Sequence, residues 1–239
     1  MLLVKYELKK YFNKSLIIFI SLLVITTYLD NFLHYQLGAE KPNIVAGNFG
    51  LSLLITQFYL IFLASVYITS EFQLGTSKSV FTGVYTRIEI INIKTIAIIL
   101  ISLCLGILNW IIGLLLEIIL LDSISITSAL FDLLIIASLY LIYILSVLTF
   151  SLLISSICLN RLVTIIINFG AFIFIGDITV QIANRSPKLA KIVENLPFYI
   201  VTNGFNNLRI NIDSLILIII FIAAFYLSGI VIFKKRDLT

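Results

Sequence analysis

A chain of 239 residues with one histidine and two cysteines has few side chains for reaction chemistry. His34 alone cannot supply the paired imidazoles of an H-E-x-x-H zinc site, and no G-x-S-x-G accompanies it to make a serine–histidine pair. Cys104 lies inside an apolar run and Cys158 ends another. Both suit small apolar packing side chains, and two cysteines cannot build a disulfide framework or a thiolate metal cluster. Nothing reads G-x-x-x-x-G-K-[ST], so the sequence provides no P-loop for a nucleotide. Charge is what remains. Glu117 and Asp122 end one apolar run, Asp132 begins the next, and Asp177 lies in the outer part of a fifth run. A charge at the centre of a membrane costs about 2.5–3.5 kcal/mol or more. None of these carboxylates falls at the middle of its run, which argues against a proton- or sodium-coupled carrier with a central acidic site.

The elements that must position these groups are read from hydropathy. Hydrophobic residues make up 61% of the chain and charged residues only 12%, against roughly 25% charged in soluble domains. Runs of about 20 apolar residues, enough to cross a hydrocarbon core of about 30 Å as a helix, recur along the whole length. The runs are continuous rather than alternating, which excludes a barrel. The sequence predicts an all-α membrane protein, one transmembrane domain over 1–239, with six spans at 15–33, 49–70, 95–116, 130–157, 162–183 and 214–233. Basic residues precede the first run as in a signal peptide, but no small-residue cleavage site follows Leu29, so this run reads as an uncleaved span. An N-inside arrangement places eleven of the 16 lysines and arginines inside and leaves Lys41, Arg185, Lys188, Lys191 and Arg209 outside. The positive-inside rule therefore puts both termini in the cytoplasm. Basic residues beside apolar runs suit anionic lipid head groups and not nucleic acid.

Three segments have a character of their own. Residues 2–12 mix Leu2, Leu3, Tyr6 and Leu8 with Lys5, Lys9 and Lys10, which predicts a short helix on the inner membrane surface. Over residues 71–94 charge and glycine return, and a connection this long usually carries function. Residues 184–213 open with Ser186-Pro187, an N-cap and a first-turn proline. Leu189, Ile192, Val193 and Leu196 then recur at helical spacing until Pro197 stops the run. Residues 198–205 are apolar but broken by Asn203-Gly204, as expected of a piece that dips into the membrane and turns back. Gln57, Asn109 and Asn168 sit within spans, where they can hydrogen-bond between helices.

The loop that begins Ser70-Glu71-Phe72-Gln73-Leu74-Gly75-Thr76, with Thr86-Arg87 and then Lys94 entering the third span, resembles the permease subunits of type-2 ABC exporters. The likeness extends to the layout: the N-terminal surface helix, the long loop after the second span, the broken outward segment and the closing FKKRDL. Two positions depart from the family pattern, Val84 in place of a proline and Thr86 in place of a serine. The resemblance implies a coupling helix within 72–83, with Glu71, Phe72, Gly75, Thr76 and Arg87 engaging a separate ABC ATPase subunit. That subunit would bind ATP and Mg, so the chain itself would need no cofactor and would not be an enzyme. It also implies a dimer of permease chains in the bacterial cell membrane. Asp177 and Pro197 stand as residues of an outer gate. Phe58, Tyr59, Phe62, Trp110, Phe172 and Phe174 along the spans favour an apolar or amphipathic cargo such as a peptide toxin. The alternative reading is a bacteriocin-binding, immunity or sensor protein that transports nothing.

Overall fold

The computed structural model describes residues 2–11, 14–36, 50–73, 85–121, 126–175, 178, 182, 186–208, 210 and 212–235. These residues are 94% helical, and no strand occurs among them. The helices are α1 (Leu2–Tyr11), α2 (Lys14–Gln36), α3 (Gly50–Gln73), α4 (Arg87–Leu121), α5 (Ile126–Cys158), α6 (Arg161–Phe169), α7 (Pro187–Glu194), α8 (Pro197–Asn206) and α9 (Ile212–Lys235). A π-helical turn, Gly170–Phe174, continues α6.

Four helices contain stretches long and apolar enough to cross a membrane: Leu51–Gln73 of α3, Arg87–Leu115 of α4, Ala129–Cys158 of α5 and Ser214–Lys235 of α9. At 1.5 Å per residue, even the shortest of these spans about 33 Å, which covers a hydrocarbon core of about 30 Å. The chain is thus a helical membrane protein. The expected first and fifth spans contribute the shorter apolar stretches Leu16–Leu29 and Arg161–Phe174. Of the six expected spans, four coincide with helices long and apolar enough to cross a membrane.

Helix α5 is the axis of the bundle, with α3, α4, α6, α8 and α9 all packed on it. Its Tyr140, Tyr143, Ile144, Val147 and Leu148 are sealed from solvent. Two glycines set how closely neighbours approach. A Cβ on Gly106 would meet the Tyr140 ring at 3.0 Å, and one on Gly229 would meet Leu152 Cγ at 2.8 Å and the Leu153 backbone nitrogen at 3.1 Å. Small residues at such crossings let membrane helices gain van der Waals contact, since lipid offers no hydrophobic drive for association. The three polar span residues do join helices. Asn168 donates to Ser65 Oγ at 2.6 Å and Ser151 Oγ at 2.7 Å, tying α6 to α3 and α5. Asn109 donates to the Tyr140 hydroxyl, and Gln57 to Asn206 Oδ1.

Boundaries moved where local chemistry outweighed hydropathy. The third span was expected from residue 95, yet α4 begins at Arg87 and runs for 35 residues. Thr86 and Glu89 cap it reciprocally: the Thr86 N–H and hydroxyl donate to Glu89 Oε2 at 2.8 and 2.9 Å, and the Glu89 N–H donates to Thr86 Oγ1 at 3.3 Å. This is a capping box, which satisfies backbone donors left over at a helix start. The break expected at Asn203-Gly204 does not occur. Helix α8 passes through both residues, with Thr202, Gly204 and Phe205 buried, and ends only at Asn207 and Leu208, where φ reaches 51°. Pro197 does separate two helices, as the first residue of α8. α7 forms where expected, starting at Pro187 after Ser186, although the Ser186 side chain makes no capping bond.

Candidate functional site

Several of the charged residues meet at the end of the bundle where α3 stops and α4 starts. Lys94, two turns into α4, is only 1% exposed. Its ammonium donates to Glu71 Oε1 at 2.8 Å and lies 3.5 Å from Glu7 Oε1 of α1. Glu71 is itself only 6% exposed. A short contact out of water is the only economical way to hold these charges, because an isolated buried ion is heavily penalised. Tyr11 lies one turn beyond Glu7 on the same face of α1, also buried. Burial, followed by the nearby Glu7 and Glu71 carboxylates, raises its hydroxyl well above the ordinary phenol range, so it stays neutral.

Around this ion cluster the other helix ends are fastened. Phe72 packs edge-on against Phe233 of α9 with ring centres 6.1 Å apart. Arg87 reaches the last carbonyls of α9, donating to Phe233 O at 3.4 Å and Lys234 O at 3.3 Å. A cation at that position satisfies orphan carbonyls and opposes the negative end of the helix dipole. The α5–α6 turn brings in Arg161. Leu159 adopts a φ of 51°, and Asn160 caps α6 by accepting from the Leu162 N–H at 2.9 Å. Arg161 then donates to Gln73 Oε1 at 3.2 Å and sits over the Phe62 ring, 5.4 Å from its centre.

Of the residues singled out from sequence, Glu71, Phe72 and Arg87 therefore converge with Lys94 on one end of the bundle. All three turn toward the chain's own helices. Glu71 in particular is sheltered rather than standing at a water boundary. Gly75, Thr76 and Asp177 lie outside the described residues, as does most of the 72–83 coupling segment. Residues 72 and 73 still belong to α3. Pro197 heads α8, and its neighbour Phe198 packs on Phe150 of α5. Sequence reasoning missed Glu7, which reads there as one acid among lysines of an amphipathic helix. The signal that could have found it is Lys94: a lysine at the rim of an apolar run needs a carboxylate, and the acids of neighbouring segments are the candidates. The Thr86-x-x-Glu89 spacing was equally available.

Physically, this arrangement is a joint between helix ends. Among the described residues no group of three potential metal-ligating side chains occurs. What these contacts can do is make the joined ends of α1, α3, α4, α6 and α9 move together. The sequence matches no family model and no curated protein.

Proposed function

We propose that the chain is the membrane-spanning permease subunit of an ATP-driven exporter of the type-2 ABC kind. It would lie in a bacterial cell membrane with both termini in the cytoplasm, pair with a second permease chain and take its energy from a separate ATPase subunit. The observation that carries the reading is the Glu71–Lys94 ion pair. It fastens the last turn of α3 to the first turns of α4, the two helices that bracket residues 74–84. An ATPase pressing on that connection would therefore push both helices, together with α1 and α9, as a single body. Closure of a motor can drive a membrane domain only through an element whose contacts differ between states, and a rigid end is what transmits such a displacement. The apolar character of the spans suits an amphipathic or hydrophobic cargo, such as a peptide toxin.

Purification from the native membrane, followed by mass spectrometry, tests the reading. An ATPase subunit and a second permease chain are expected in the complex. In vesicles containing that ATPase, Glu71→Gln should lower substrate-stimulated hydrolysis while insertion and pairing persist. A chain that purifies with no ATPase, or an E71Q variant with wild-type stimulation, defeats the proposal. Topology is checked separately: single cysteines at Lys78 and Lys188 should react with an impermeant reagent from opposite sides of the membrane.

A further inference from the structure

We infer that the cleft between the C-terminal turn of α7, the polar face of α8 and the start of α9 binds a primary ammonium group. The cleft lies at the end of the bundle remote from Lys94, and its volume is about 370 Å3, within the range of small-ligand sites. In a chain that is 61% hydrophobic, its wall is unusually polar: Glu194, Tyr199, Asn203, Asn207 and Ser214 line it beside Ile200.

The sign of the site follows from α7. Glu194 is the last residue of that helix. Its carboxylate therefore adds to the negative end of the helix dipole. Among the described residues no lysine or arginine lines the cleft. The Glu194 carboxylate repels an anion and is complemented by a cation. The hydrogen-bonding pattern narrows the class further. Asn207 Nδ2 donates to Asn203 Oδ1 at 2.7 Å, one turn apart on α8. This fixes the amide pair and leaves the Asn207 amide oxygen able to accept. An ammonium offers three N–H donors and no acceptor, which complements a carboxylate, an amide oxygen and the Tyr199 and Ser214 hydroxyls. Ile200 gives an attached methylene stem an apolar surface to lie on. A single carboxylate is too few oxygens for a calcium or magnesium ion.

Two sources carry this chemistry: the lysine side chain of a peptide and the ethanolamine head group of a lipid. The inference does not depend on export, so it can fail or stand apart from the proposed function. The test uses the full chain in phosphatidylcholine nanodiscs, with N-α-acetyl-lysine amide as probe and N-α-acetyl-norleucine amide as its uncharged match, read by saturation-transfer NMR. The lysine probe should saturate and the norleucine probe should not. Glu194→Gln should weaken binding at least about tenfold, because it removes a charge-assisted hydrogen bond. Asn207→Ala should weaken it several-fold. Unfolding temperatures equal to wild type exclude misfolding of these surface variants. Equal binding of both probes, or an unchanged E194Q affinity, overturns the inference. Replacing phosphatidylcholine by phosphatidylethanolamine then separates the sources: competition with the lysine probe identifies the lipid head group, and unchanged binding identifies a ligand arriving from water.

Discussion

Two regions of the bundle are held together by different physics. Where α3 stops and α4 starts, three charges share a dry space: Lys94, Glu71 at 2.8 Å and Glu7 at 3.5 Å. Deeper in the bundle, α5, the π turn, α8 and α9 are joined by phenylalanines. Phe198 stands 5.0 to 5.2 Å from Phe150, Phe172 and Phe221, all close to edge-on, and Phe221 meets Phe225 at 4.3 Å. A sheltered ion pair has one good geometry and loses heavily when opened. Aromatic edges tolerate a spread of angles and separations, with about 0.5–1.5 kcal/mol per contact. The charged cluster is thus the stiffer of the two regions, and the aromatic cluster the more yielding.

The contrast can be broken or sharpened by substitution. The largest effect should come from Lys94→Met, which strands two carboxylates and should cost about 3–5 kcal/mol of stability in micelles. Adding Glu71→Gln and Glu7→Gln to K94M should restore most of that loss; no restoration would mean the charges do not form one cluster. The loss caused by Glu71→Gln alone should be the same at low and high salt, because ions screen over about 8–10 Å of solvent and this pair is out of solvent. A strong salt effect would return Glu71 to the water boundary.

Next in size, Phe172→Leu should cost about 1–3 kcal/mol by underfilling the aromatic cluster, and it should loosen amide protection in α8 more than in α1. Equal loosening of both would erase the distinction between the regions. Thr202→Val should cost about 1 kcal/mol, since the Thr202 hydroxyl donates to the buried Phe172 carbonyl at 2.9 Å. Thr202→Ser should behave as wild type. The smallest effect belongs to Thr86→Ala, about 0.5–1 kcal/mol from the lost cap, read as faster exchange confined to the first turn of α4.

Much of this layout is written in the sequence, and the gaps have causes. The four long helices follow from unbroken apolar runs, and α7 from Ser186-Pro187 and its periodic leucines and isoleucines. The course of α8 could not be read so, because Asn203-Gly204 signals a turn locally while burial of Thr202, Gly204 and Phe205 keeps the helix going. Lys94 was visible at the rim of its run, but its partners lie 23 and 87 positions earlier in the chain, a distance that only packing closes. The early start of α4 was legible in Thr86 and Glu89 and was masked by attention to hydropathy. The partners of Asn168 required knowing that α3, α5 and α6 cross at one level.

One turn of α6 bears on the history of the chain as well as its mechanics. Between Gly170 and Phe174 the helix carries one residue more per turn than its surroundings, with the Ile175 N–H bonded five residues back to Gly170 O. Such a turn accommodates an extra residue, and it occurs mostly singly inside α-helices. An ordinary turn here would rotate everything downstream by about 100°. It would break either the grip of Asn168 on Ser65 and Ser151 before it or the seat of Phe172 within it. In kindred sequences, a one-residue gap should therefore fall at positions 170–174 and nowhere else in this helix, and a chain lacking that residue should carry an unbroken α-helix in its place.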